Sequence, residues 1–163
     1  MTHSRKSVTI VHCSRGGFGA GIAKTVGDRL RSRGCDVRVV SARSAAGSGA
    51  TVAWTDPDVV VAISPIYFRM IPRAFKQFFR RNAFGAPTGV GDDDADLAMP
   101  EVVPLVTAGR PTNGAARRRL GKFFGAHGWR TLHPGFDLAA MAPRGVTPDA
   151  EIDAVVDAIA TTE

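Results

Sequence analysis

Cysteine is scarce. The chain has two, Cys13 and Cys35, and they form neither a CxxC pair nor a metal-ligand spacing. That excludes a cysteine-based metal centre and sets a reducing, cytoplasmic setting as the expectation. Long apolar runs are missing too. None approaches the ~20 residues that span a bilayer, so membrane insertion is not expected. Met1 to Lys6 is basic, but no apolar stretch follows, and no signal peptide is expected. Neither an internal repeat nor a linker-like segment occurs, so one domain over residues 1–163 is expected. No motif for reading RNA or DNA is found, and nucleic acid is not an expected partner.

What is present is a normal core and an excess of positive charge. Hydrophobic residues make up 44% of the chain, which excludes disorder. The net charge is +6 and the pI about 10.1. Such charge draws anions, phosphorylated ligands among them, although a plain abundance of Arg gives the same total.

Apolar, β-rich runs alternate with helical patterns. SVTIVHC (7–13) reads as a buried strand. Ile22, Val26 and Leu30 then recur every four residues on one helix face, and Gly34 ends that helix. DVRVV (36–40) is a second strand, and 41–53 is small and loop-like. DVVVAI (58–63) is apolar throughout, as in a strand covered on both faces. A helix over 71–81 carries Pro72 in its first turn and Phe75, Phe78 and Phe79 on one side. A polar loop follows (84–100), then EVVPLVT (101–107) as a fourth strand. Pro104 inside it lacks a ladder donor and suggests an edge, a bulge or one unpaired amide. A helix over 113–127, a short Pro-interrupted strand within 129–138 and a helix over 147–160 complete the pattern. Thr147 caps the last helix and Pro148 opens it, with Asp149 and Glu151 near its positive end. The alternation implies a parallel sheet with helices on both faces.

In such sheets ligands bind beyond the carboxyl ends of the strands, where strand order reverses. Three loops stand there. The first, SRGGFGAG (14–21), packs four glycines before a helix start, whose free amides and dipole suit a phosphate. It lacks the GK[ST] ending of a P-loop. It is also a poor dinucleotide fingerprint, because the third glycine position is Ile22 and no acidic residue ends the second strand. The second loop carries Tyr67 and Phe68, able to stack on a flat ring or to pack under the next helix. The third, AGRPTNG (108–114), offers amides and Arg110.

Together, SRGGFGAGIA and DPDVVVAISPIYFRMIPRAFKQFF resemble the flavodoxin-like superfamily, in particular the FMN-dependent NAD(P)H oxidoreductases and NAD(P)H:quinone reductases. The shared positions are Ser14, Gly17 and Ala23 in the first stretch. In the second they are Ser64, Pro65, Tyr67, Phe68, Met70, Pro72, Lys76 and Phe78. Gly16 and Gly19 stand where that family usually has hydroxyl residues. Ile66 replaces its Thr, and Arg69 its Gly. The resemblance implies a three-layer sandwich around a five-stranded parallel sheet in order 2-1-3-4-5. It implies FMN as cofactor, its phosphate held by Ser14, Arg15, Gly16, Gly17, Phe18, Gly19 and Ala20. Pro65, Ile66, Tyr67, Phe68 and Arg69 would flank the flavin, with Thr107, Ala108, Gly109 and Arg110 at its polar edge. It further implies NAD(P)H as reductant, a small acceptor such as a quinone or another flavin, and a homodimer joined near residues 66 to 71. A one-electron carrier that docks on a redox partner, and a flavodoxin-like domain without tightly bound flavin, stand as alternatives.

Other residues invite weaker readings. Cys13 meets a helix start, yet low-molecular-weight tyrosine phosphatases need an Arg six residues on, and here that place is Gly19. Cys13 is expected as a small buried hydrophobe. His12 reads as a satisfied or edge side chain, and His133 as a candidate to approach the flavin. His127, Trp129 and Trp54 read as helix-end and packing residues. GDDDAD (91–96) lacks the spacing of a Ca²⁺ loop and reads as solvated. RRR (117–119) reads as solvent-facing.

Overall fold

β-Branched residues set the strands. Val8, Thr9, Ile10 and Val11 are buried in β1 (Ser7–His12), and every residue of β3 (Val59–Pro65) is buried. The computed structural model describes residues 5–14, 17–48, 59–66, 70–82, 101–108, 114–139 and 149–161. The remaining elements are α1 (Phe18–Ser32), β2 (Asp36–Ser41), α2 (Ala42–Ser48), α3 (Arg73–Arg81), β4 (Glu101–Ala108), α4 (Ala115–Ala126), β5 (Arg130–Thr131), β6 (Phe136–Ala139) and α5 (Asp149–Ala160). All strand pairs are parallel, in the order β2-β1-β3-β4-β5, with β6 also on β4. That is the 2-1-3-4-5 order implied by the resemblance, with its fifth strand in two pieces.

Side chains alternate across the sheet and create two cores. Val8, Ile10, Val61 and Leu105 face α1 and α5, meeting Ile22, Val26, Leu30, Ile152 and Ile159. Val11, Val60, Ala62 and Val106 face the opposite layer, where Phe75, Phe79, Phe124 and Trp129 gather. There Phe79 lies 4.7 Å from Phe75, 4.9 Å from Phe124 and 5.5 Å from Trp129, between ring centroids. Trp129 and His127 are the packing and helix-end residues expected. His127 closes α4, and Gly128 follows with φ of +77°. The Gly128 amide donates to Gly125 and the Trp129 amide to Phe124, so two of the helix's last carbonyls are satisfied. Gly34 (φ +85°) ends α1 in the same way.

Three expectations need correction. Residues 42–48 are a short helix, not loop: Ala42 is buried and α2 rests on the α3 layer. β3 runs on to Pro65, two residues beyond the expected end. Pro104 lies at no edge, because β4 stands between β3 and the β5/β6 pieces. The Leu132 amide donates to the Val102 carbonyl, so even-numbered positions of β4 face the last strand. The donor that Pro104 lacks is therefore missing on that side, opposite the break between β5 and β6. Gly135 (φ +97°) passes through the break so closely that a Cβ there would stand 2.5 Å from the Pro104 carbonyl oxygen. The proline and the interrupted strand are one feature. Trp54 and the cap residues Thr147 and Pro148 lie outside the described residues.

Candidate functional site

β1, β3 and β4 are neighbours, and strand order reverses between β1 and β3. Their carboxyl ends align. The Cys13 amide donates to the Ile63 carbonyl at 3.1 Å, and the Ile66 amide to the Thr107 carbonyl at 3.2 Å. Adjacent strands are about 4.8 Å apart, so Ser14, Pro65, Ile66, Thr107 and Ala108 come together at one edge. Several of these are strand rather than loop: Pro65 ends β3, and Thr107 and Ala108 end β4.

The first loop becomes helix sooner than expected, at Phe18. Gly17 precedes it with φ of +79°, a left-handed conformation that glycine adopts without cost. The N-cap residue, Gly17, has no side chain to offer the helix, and the first turn holds no acidic residue. The first-turn amides point outward with the positive end of the helix dipole. One is engaged: the Gly19 amide donates to Ser14 Oγ at 3.2 Å. That bond fixes the hydroxyl beside the helix end and leaves its proton to donate elsewhere.

Gly19, where the resemblance would have a hydroxyl residue, has little room for a side chain. It is buried, and a Cβ there would stand 2.9 Å from Ser14 Cβ and 3.9 Å from Ile63 Cγ2. Glycine is needed so that α1 can settle on Ser14 and on the end of β3. Arg15, Gly16, Tyr67, Phe68, Arg69, Gly109 and Arg110 lie outside the described residues.

Two residues at this edge expose apolar surface: Phe18, expected in the phosphate loop, and Met70, a shared position of the second stretch. Met70 is 64% exposed and Phe18 40% exposed, while most apolar side chains of similar size are buried. Their exposure is a tertiary fact. At the start of α4, Gly114 (φ +74°) leaves space into which Arg117 and Arg118 fold back; their Nη atoms stand 3.3 and 3.1 Å from a Cβ built there. Arg118 and Arg119 are exposed, as expected of the arginine run, but Arg117 is half-buried and donates to the Gly135 carbonyl at 3.2 Å.

Cys13 is buried, and desolvation pushes its thiol above the ordinary range, against a smaller opposing pull from Arg43. It is the inert hydrophobe expected. His12 is not satisfied among the described residues: its Nδ1 is buried and finds no hydrogen-bond partner there. Burial lowers its pKa and favours the neutral ring. His133 stacks on Phe136 at 4.3 Å and accepts from the Gly135 amide at 3.1 Å, in the β5/β6 break. Among the described residues no group of His, Cys, Asp and Glu could hold a metal ion. The GDDDAD segment lies outside them. No helix among them is long and apolar enough to cross a membrane.

No family model and no curated protein matches the sequence. Solved structures do match the fold. Oxidised Flavodoxin 2 from Bacillus cereus aligns with a TM-score of 0.65 at 14% identity, over 94% of this chain and 97% of that one. A point mutant of the flavodoxin from Pseudomonas aeruginosa gives 0.64 at 15% identity, over 94% and 96%. The rubredoxin oxygen:oxidoreductase of Desulfovibrio gigas gives 0.63 at 13% identity, over 96% of this chain. This chain spans only 35% of that protein's length.

Proposed function

From the premise that this chain has the flavodoxin-like fold, we propose that it binds FMN and transfers electrons. In this reading NAD(P)H is the reductant and a small molecule, a quinone or another flavin, is the acceptor. The observation that carries the reading is the start of α1, free of acidic residues and with Ser14 Oγ on its Gly19 amide, at the reversal point of the sheet.

The residues present fit the cofactor's phosphate. A phosphate monoester needs several donors and no nearby carboxylate. Ser14 Oγ supplies one donor, held in place by the Gly19 amide. The other first-turn amides of α1 supply more, and no acidic side chain opposes them. Pro65, Ile66, Thr107 and Ala108 form the floor on which a planar ring would rest, beside the strand ends that hold them rigid. When bound, the flavin supplies the redox chemistry, taking hydride from NAD(P)H and yielding electrons to the acceptor. The chain's own part is to bind, to orient and to keep the helix end dry. No side-chain acid or base is required for hydride transfer, and half-buried, neutral His12 and the buried Cys13 thiol are consistent with that.

The test is direct. Purified protein should show the absorbance of oxidised flavin, or quench the fluorescence of added FMN with an affinity on the order of 10 μM or tighter. With flavin supplied it should oxidise NAD(P)H. Absence of both binding and oxidation would overturn the reading. Binding without oxidation would favour the alternative of a one-electron carrier.

A further inference from the structure

β2 is the outermost strand on one side of the sheet, and the strand beside it is β1. The Asp36 amide donates to the Lys6 carbonyl at 2.9 Å. Backbone polar groups alternate sides along a strand. Asp36, Arg38 and Val40 therefore bond to β1, while Val37, Val39 and Ser41 turn their amides and carbonyls away from it. Such an edge is a template for another strand. The composition of β2 favours pairing: Val37, Val39 and Val40 fill half of it, Asp36 and Arg38 cancel in charge, and proline is absent. Asp36 and Arg38 are exposed, and Val39 is 40% exposed.

α1 takes one of the outward acceptors. Arg31 Nη2 donates to the Val37 carbonyl at 3.0 Å, and Nη1 donates to the Asp28 carboxylate at 3.1 Å. Packing sets this reach. Gly27 lies so close to the sheet that a Cβ there would touch Val37 Cγ1 at 3.6 Å, Ile10 Cδ1 at 3.5 Å and Arg31 Nη1 at 3.4 Å. α1 thus passes low over β2, and the guanidinium lies across its edge. The pair with Asp28 is half-exposed, and such pairs add little to stability. The bond to the Val37 carbonyl asks for another reason.

We propose that Arg31 guards this edge against a second copy of the chain. Two copies of β2 can pair antiparallel about a two-fold axis, with Val37 opposite Val37. Asp36 of each copy then faces Arg38 of the other, so opposite charges meet on both sides of the axis. A slip of two residues, to Val37 opposite Val39, sets Arg38 against Arg38 and is disfavoured. The charges select the first register. In it the outward residues of both copies meet, and the Val37 carbonyl of one accepts from the Val37 amide of the other. That carbonyl is the one Arg31 holds, so the guanidinium blocks the centre of the pairing. This closure is independent of the flavin.

Sedimentation equilibrium of the full chain reads self-association. Arg31→Met keeps the aliphatic stem and removes the donors. It should associate at least about tenfold more tightly than the unaltered protein, because two blocked hydrogen bonds are restored across the axis. Adding Arg38→Asp sets like charges opposite one another and should return association to the starting level. Adding Asp36→Arg to that pair restores opposite charges, and the association should come back. Lys24→Met removes the other cation on Asp28 and should change nothing. Asp28→Asn loosens Arg31 and should shift association the same way as Arg31→Met, by less. Hydrogen exchange in Arg31→Met should show the Val37 and Val39 amides more protected as concentration rises. Folded Arg31→Met that associates no more tightly than the unaltered protein would overturn the proposal, as would association that Arg38→Asp leaves intact. Should Arg31→Met not fold, unchanged association in Asp28→Asn overturns it equally.

Discussion

Consider Gly19→Ala. The added methyl carbon stands 2.9 Å from Ser14 Cβ, and neither atom can swing away, because both are fixed to backbone. Carbon atoms rest about 3.5–4.0 Å apart, so α1 and the end of β1 must separate by roughly 0.6 Å or more. Overpacking of this kind costs about 1–3 kcal/mol. Alanine's better helix propensity returns at most ~1 kcal/mol. The net expectation is a loss of up to about 2 kcal/mol, or several degrees in Tm for a domain of this size. The separation also stretches the bond from the Gly19 amide to Ser14 Oγ, already 3.2 Å long, and frees the hydroxyl from its position. One hydrogen bond to a charged phosphate is worth about 1.5–3 kcal/mol, so FMN should bind roughly 10- to 150-fold more weakly. The control is two residues away. Gly21 is exposed on the same helix, and a Cβ there meets nothing within 4 Å. Gly21→Ala should raise stability by up to ~1 kcal/mol and leave FMN affinity unchanged. Urea unfolding and flavin fluorescence titration of the three proteins read both quantities. If Gly19→Ala matches Gly21→Ala in both, the packing argument for the phosphate loop is wrong.

Phe79→Ala should cost about 3–5 kcal/mol in urea unfolding, because the ring is fully buried among Phe75, Phe124 and Trp129; a loss under ~1 kcal/mol would refute the aromatic cluster as the centre of that core. Gly135→Ala should destabilise by at least about 1–3 kcal/mol, since it sets a Cβ against the Pro104 carbonyl at a φ of +97°. His12 has its pKa lowered by burial, so the unfolded chain takes up the proton first. Stability should therefore fall as pH drops through the ordinary histidine value of 6.5, and a melting series should show a flatter decline in His12→Gln. Cys13→Ala should retain flavin-dependent NAD(P)H oxidation, and a native-state thiol assay should find Cys13 slower to react than the less buried Cys35. Loss of oxidation in a folded Cys13→Ala protein would return the thiol to the mechanism.

Local chemistry makes the architecture legible. Val and Ile runs mark β1 and β3, the four-residue repeat of Ile22, Val26 and Leu30 marks α1, and glycines at 34 and 128 mark helix ends. Each is a short-range preference, so it survives in the linear order of residues. The helix start after Gly17, on which the proposed phosphate site rests, is legible for the same reason, since a helix start after a strand is also a local feature. What the line of residues cannot hold is which atoms meet across the sheet. Pro104 and Gly135 are thirty-one positions apart, yet one lacks the donor where the other breaks the strand. Gly19 stands, by the resemblance, where a hydroxyl is usual, and only the fold shows that a Cβ there would press on Ser14. In the line of residues Arg31 is one more helix cation. Only the packing of α1 on β2 carries its guanidinium to the Val37 carbonyl, because a helix's charge pattern has no direction until its apolar side has found its partner.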